Sequence, residues 1–405
     1  MGPAAAGRKP GFTVRLDAMR ADSLQTDDPA EIHATPARPG AWRRTARYLA
    51  AWQTGRADVR RHSVRLPGAG QIVDGDVYHP QGAGDPLRTW IVLHGLTRPG
   101  RRHEALVRFV RALAASGAVV LVPEIPPWQA LRLDPEATDA TVEGALEFLS
   151  GGSGGSVLAG FSFGAPQALR VARRPDVAAR LAGVVAWGGY HDLGRTIDFQ
   201  LTGKVVGQEP DGGPAQANLH PDPYARWVVG GNCLPAAYPG SEDVAAALLH
   251  LAREAGERKR PADSPELAPL VANHRLRVAP GRRPLYDAFA RPGGELPDAA
   301  TAREVVDALD GPVQQAFPLL DPGPHLGPLP LPARLLHSRT DRMIPFTETV
   351  ELARALAGTE DLDLTITGLF GHSGRVGASL LSAYGETRRF LGALHRILAL
   401  SHPDP

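Results

Sequence analysis

The sequence has a single cysteine, Cys233, in 405 residues, so no internal disulfide can form and no paired-thiol metal or iron–sulfur site can be built. Charge of one sign is equally scarce. With 44 Lys+Arg against 43 Asp+Glu the formal net charge is +1, which leaves no global field to gather nucleic acid or an anionic membrane. No apolar run approaches the roughly 20 residues that span a bilayer, and Arg47 and Gln53 interrupt the stretch after Arg43-Arg44 that a twin-arginine signal would need to keep apolar. A myristoylation signal is missing as well, since Met1-Gly2-Pro3-Ala4-Ala5-Ala6 lacks the required Ser/Thr. These absences lead us to expect a cytoplasmic protein with no membrane span and no nucleic-acid partner.

What is present is a core-forming chain, 43% hydrophobic, with 45 glycines and 38 prolines, high but below the level of a wholly disordered sequence. Residues 1–40 mix Pro, Ala, Arg and Asp without a sustained period and read as a loose arm. His62-Ser63-Val64-Arg65-Leu66 and Gln71 to Tyr78, separated by Pro67-Gly68-Ala69-Gly70, predict an antiparallel hairpin. Short runs, most of them apolar on both faces, then follow: Trp90–Leu93, Ala118–Val122, Val157–Ala159, Gly183–Trp187, Leu335–His337 and Leu362–Ile366. They suit strands of a sheet covered on both sides.

Between them Leu106, Phe109, Val110 and Leu113, and then Val142, Ala145, Leu146 and Leu149, repeat at helical spacing. Strand–helix alternation of this kind predicts a doubly wound, mostly parallel α/β sheet. The alternation fails between Asp192 and Leu329. A βα connection normally takes 2–6 residues, so the roughly 135 residues here must be an inserted, largely helical subdomain. Within it, Ser241 and Asp298 are expected to cap helices. The expected organisation is therefore an arm (1–40), a core in two parts (41–192 and 330–405), and an insertion (193–329) closing over the sheet edge as a cap.

Two segments match Gly-x-Ser-x-Gly. Gly151-Gly152-Ser153-Gly154-Gly155 surrounds its serine with four glycines, so nothing holds Ser153 in one geometry and a flexible turn is expected. Gly160-Phe161-Ser162-Phe163-Gly164 directly follows a strand and opens a helix through Ala165, Ala168 and Leu169. Nucleophilic chemistry needs that context: a serine at a strained apex, small residues two before and two after it, and helix N-terminal amides where negative charge develops.

On these residues the sequence resembles the α/β-hydrolases, serine hydrolases of the esterase and lipase kind. The resemblance covers most of residues 60–400 and rests on the hairpin, His94-Gly95 after the first long strand, the Ser162 turn, Asp341 in Thr340-Asp341-Arg342-Met343-Ile344-Pro345, and His372 in Phe370-Gly371-His372-Ser373, in that order. It implies a Ser162–His372–Asp341 triad, with backbone N–H groups of Leu96 and Phe163 as the oxyanion hole. One departure is His337-Ser338 where the family commonly shows His-Gly.

A hydroxyl needs a neutral imidazole to accept its proton, and His372, in a Gly-flanked loop past the last strand, is suited to that job. His94 and His337 are embedded in strand patterns and read as structural. For the carboxylate that orients the imidazole, Asp341 is preferred and Asp192 is the competitor. Trp227, Tyr238 and Phe289 are aromatic residues of the insertion that either contact substrate or, as the better expectation, form its core. The expected activity is hydrolysis of a small-molecule carboxylic ester through an acyl-enzyme, which implies no metal and no organic cofactor. Oligopeptidase, thioesterase and acyltransferase chemistry, or a catalytically silent binding protein on the same fold, are the alternatives.

Overall fold

The structure is a computed structural model and describes residues 41–68, 71–81, 88–150, 155–215, 217–368 and 380–401. The expected arm, Ser153 and His372 lie outside the described residues.

Eight strands form one sheet: β1 (Val59–Pro67), β2 (Ile72–Pro80), β3 (Thr89–Leu93), β4 (Val119–Pro123), β5 (Ser156–Phe161), β6 (Leu181–Trp187), β7 (Ala333–Ser338) and β8 (Leu362–Thr367). Their spatial order is β1-β2-β4-β3-β5-β6-β7-β8. β1 and β2 form the expected antiparallel hairpin, β2 meets β4 antiparallel, and every pairing from β4 to β8 is parallel. The sheet is thus mostly parallel and doubly wound, as the alternation of apolar runs and helical spacing required.

Alternate residues along each strand feed two separate cores. Ile91, Leu93, Leu121, Leu158, Val184 and Leu335 point to one face, where the helices Ala137–Phe148, Gly164–Ala172 and Phe346–Ala355 contribute Val142, Ala168 and Leu352. Trp90, Val92, Val120, Val157, Val185 and Leu336 point to the other, under the helices Ala41–Thr54, Glu104–Ala115 and Leu380–Ala399. Each fully buried Val, Leu or Ile contributes about 1.5–3 kcal/mol of hydrophobic stabilisation before conformational entropy is counted. Trp90 also needs a polar partner, and its Nε1–H finds Ser401 Oγ at 2.9 Å. The helix Ala41–Thr54 was not foreseen, although Tyr48 and Ala51, three apart, bury one face against the second core.

Between β6 and β7 the chain is largely helical, with segments Leu193–Thr202, Pro223–Ala237, Glu242–Arg258, Ala268–Arg277, Arg283–Phe289 and Ala299–Leu309. Trp227 and Phe289 are buried among Leu248 and Leu251, while Tyr238 is half-buried. The two buried rings are packing residues of this region. Arg226 is buried with them, donating to the carbonyls of Phe289, Gln200, Gly294 and Glu295 at 2.9–3.4 Å. Burial lowers its pKa to about 10, so it stays charged at neutral pH and is stabilised by carbonyl dipoles, two of them from helix C-terminal residues.

Asp298 caps its helix through the N–H groups of Ala300 and Thr301, as expected. Ser241 occupies the residue before Glu242–Arg258 but makes no capping hydrogen bond. Asp243 draws the polar contacts there instead, accepting from the N–H groups of Val244 and Ala279 and pairing with Arg282.

Candidate active site

Ser162 sits between β5 and the helix Gly164–Ala172 with φ of 53°, a left-handed conformation that only Leu131 and Lys259 share among the described non-glycine residues. A strained residue of this type persists only where its surroundings over-determine it. Here the Ser162 N–H donates to Trp187 O at the end of β6 (2.8 Å), and the Ser162 carbonyl accepts from Ala165 N–H (2.9 Å). The two flanking glycines are required sterically. A Cβ on Gly160 would lie 2.1 Å from Gly164 O, and one on Gly164 would lie 3.0 Å from His94 O. At Gly160 strand and helix therefore approach too closely for a side chain, and at Gly164 a Cβ would press on the carbonyl of His94.

The loop after β3 comes against the same turn. A Cβ on Gly95 would stand 3.3 Å from Ser162 Cβ and 3.8 Å from its Oγ, so glycine lets this loop touch the serine. Among the described residues, neither the Leu96 nor the Phe163 N–H has a backbone acceptor. Phe163 is fixed by its buried ring, which packs edge-on to Trp128 (5.1 Å between centroids) and stacks on Tyr190 (6.3 Å).

His94 is structural, as expected, and has a more definite task than filling space. Its Nδ1 lies 2.7 Å from the Gly95 carbonyl, so the ring nitrogen carries the proton and donates, while Nε2 accepts from Ile125 N–H (3.1 Å). Glu124 Oε1 lies 3.0 Å from the same Nε2, and Arg101 bridges Glu124 Oε2 (2.7 Å) and Asp76 Oδ2 (3.1 Å). No motif signalled this network. Glu124 follows β4 and Asp76 lies on β2, and only the sheet order brings them to the loop after β3.

Asp341 follows β7 and is buried. Its Oδ1 accepts from the N–H groups of Met343 (2.7 Å) and Ile344 (3.1 Å). Oδ2 lies 3.3 Å from Nε2 of His337, which is also 3.0 Å from Ile344 O. Two oxygens facing Nε2 place a proton there, and Nδ1 lies 2.6 Å from Thr349 Oγ1, whose hydroxyl also reaches Gly189 O at 3.1 Å. His337 is therefore a structural histidine that steadies the Asp341 loop. The sequence showed it only as a strand residue.

Asp192 is employed differently. Its Oδ1 caps the helix Leu193–Thr202 through Arg195 N–H (2.7 Å), its Oδ2 pairs with the Arg195 guanidinium (3.3 Å), and its own N–H goes to Glu348 Oε2 (2.8 Å). Both its carboxylate oxygens and its N–H are thus engaged locally. Glu348, buried beneath it, has its carboxyl raised by burial against the opposing pull of Arg195.

The region between β6 and β7 touches both loops of the site. Tyr224 Oη donates to Leu96 O (3.2 Å), and Asp222 N–H donates to Arg342 O (2.8 Å). Asn232 accepts from Leu133 N–H and donates to Leu131 O beyond β4. Among the described residues no group of His, Cys, Asp and Glu could hold a metal ion, and no helix is long and apolar enough to cross a membrane.

No family model matches the chain, and no curated protein matches it in sequence. Solved structures do. The esterase LipA from Xanthomonas oryzae, which degrades rice cell wall, superposes with a TM-score of 0.53 at 15% identity, over 88% of this chain and 95% of its own. Brefeldin A esterase, a bacterial homologue of human hormone-sensitive lipase, matches at 18% identity over 90% of this chain and 88% of its own, with a TM-score of 0.43. Together with the strand order and the turn at Ser162, the likeness to LipA shows that this chain has the α/β-hydrolase fold.

Proposed function

We propose that the protein is a serine hydrolase of carboxylic esters or related acyl bonds, with Ser162 as nucleophile, His372 as base and Asp341 as the carboxylate that orients it. The observation that carries this reading is Ser162 itself: a non-glycine residue at φ 53°, on a strand–turn–helix apex between two closely packed glycines, the first of which leaves no room for a side chain. A protein without use for the hydroxyl would place glycine there and lose the strain. LipA, an esterase on the same fold, is in keeping with the ester reading.

In this mechanism Ser162 Oγ attacks the acyl carbon and its proton passes to His372. The carbonyl electrons move onto oxygen, where the Leu96 and Phe163 N–H groups stabilise the oxyanion, each donor being worth about 3 kcal/mol. Collapse of the intermediate expels the alcohol, which takes the proton from His372. Water then attacks the acyl-enzyme with His372 again as base, His372 returns the proton to Ser162 Oγ as the acyl–Oγ bond breaks, and the acid leaves. No metal or organic cofactor takes part. The residues between β6 and β7 act as a cap that selects the acyl group.

A fluorophosphonate probe and an activated ester such as p-nitrophenyl butyrate test the proposal. Stoichiometric labelling at Ser162 and loss of both labelling and hydrolysis in Ser162→Ala are expected, while Ser153→Ala stays near wild type. Folded protein that takes no label would support a silent binding protein on this fold.

A further inference from the structure

The oxyanion loop is held at two successive peptide units, and the two holds come from different parts of the molecule. In a trans peptide the C=O of Gly95 and the N–H of Leu96 lie in one plane and point opposite ways. The hydrogen bond from His94 Nδ1 to Gly95 O therefore sets the direction of the Leu96 N–H without occupying it. That plane can still rock about the φ and ψ of Leu96 unless the next peptide is held too. Its carbonyl, Leu96 O, accepts from the phenol of Tyr224, which is carried by the helix Pro223–Ala237.

Tyr224 is itself well placed. Asp222 caps the helix through Tyr224 N–H (3.0 Å), and Pro223 sets the first helical residue. Arg226 and Trp227, both fully buried, lock the next residues. Burial, then the neighbouring Asp222 carboxylate, push the Tyr224 phenol up, so it remains a protonated donor at any working pH. The same segment reaches the carboxylate loop, where Asp222 N–H meets Arg342 O and Arg342 Nε returns to His220 O (2.6 Å).

We propose that Tyr224 is a positioning residue for the oxyanion loop, so that the inserted region takes part in catalysis by fixing the Leu96 N–H. The inference rests on the serine-hydrolase reading and adds to it. Selection of the acyl group requires only that the insertion lie near the substrate, whereas this role makes its first long helix part of the apparatus that receives developing charge.

The test uses full-length Tyr224→Phe, which keeps the ring and removes only the donor. With p-nitrophenyl butyrate, kcat is expected to fall about tenfold, part of the 10²–10³ that a complete oxyanion donor supplies, with KM within about twofold. A trifluoromethyl ketone, whose adduct with Ser162 carries an oxyanion, should bind about tenfold more weakly. The matching trifluoromethyl carbinol, which fills the pocket without forming that adduct, should bind unchanged.

Wild-type kcat and ketone affinity in Tyr224→Phe would overturn the inference, provided the wild type labels at Ser162. Equal weakening of ketone and carbinol with a lowered melting temperature would also overturn it, since that pattern marks a structural role. A wild type that neither labels nor hydrolyses would sink the serine-hydrolase reading and this inference with it.

Discussion

The sharpest quantitative test concerns the carboxylate of the proposed triad, because Asp341 and Asp192 both follow strands of the parallel sheet and topology permits either. Consider Asp341→Asn. The amide keeps one oxygen to accept from the Met343 and Ile344 N–H groups, but it sets an NH₂ group towards His337 Nε2, where a carboxylate oxygen now lies at 3.3 Å. Two charge-assisted hydrogen bonds become neutral ones, a loss of about 1–3 kcal/mol of stability. A catalytic imidazole facing that amide is stabilised in the wrong tautomer and loses its counter-charge. In the established serine-protease case this costs about 10⁴ in kcat, or about 5 kcal/mol of transition-state stabilisation.

Asp192→Asn should behave oppositely. Asparagine caps a helix as well as aspartate does, and the partly exposed pair with Arg195 is worth about 0–1 kcal/mol. Its rate should therefore stay within about tenfold of wild type. Steady-state kinetics on an activated ester, with melting curves to show that both variants are folded, decide the matter. Greater loss in Asp192→Asn would move the acid to that residue and refute the assignment.

Two further expectations follow from packing and charge. Gly160→Ala should destabilise the protein by at least the 1–3 kcal/mol typical of overpacking, because its methyl group would sit 2.1 Å from Gly164 O, a backbone atom; a melting temperature within a degree or two of wild type would show that strand and helix can separate. Asp243 is held down to about 2, chiefly by its hydrogen bonds with Arg282 and despite desolvation. A depressed folded-state pKa contributes stability that is present above the ordinary aspartate pKa and is lost as pH falls through the folded value. The gap in melting temperature between wild type and Asp243→Asn should thus be full at pH 7 and shrink below about pH 4, and a gap independent of pH would count against it.

Particular residues show how far the linear sequence reaches. Alternating apolar runs such as Trp90–Leu93 and Val157–Ala159, with helical spacing between them, are local signals, because the two periodicities are properties of single elements; the sheet and its two covered faces were legible from them. The turn at Ser162 was legible for the same reason, since the strand, the two glycines and the helix are contiguous. Ser241 was misread because competition for a helix N-terminus depends on what else reaches it, and Asp243, tied across to Ala279 and Arg282, draws the polar contacts.

The long-range contacts that hold the site's loops in place were decided by the tertiary structure. His94 acquires Glu124 and Arg101, His337 acquires Asp341 and Thr349, and Leu96 acquires Tyr224 from 128 positions away. Composition and periodicity specify which surfaces a segment must bury, and those are properties of neighbours along the chain. Which buried polar group satisfies which depends on the order of strands in the sheet and on where a long insertion returns. Hydrogen bonds are short and directional, so partners far apart in sequence become visible only once the fold has brought them within hydrogen-bonding distance of one another.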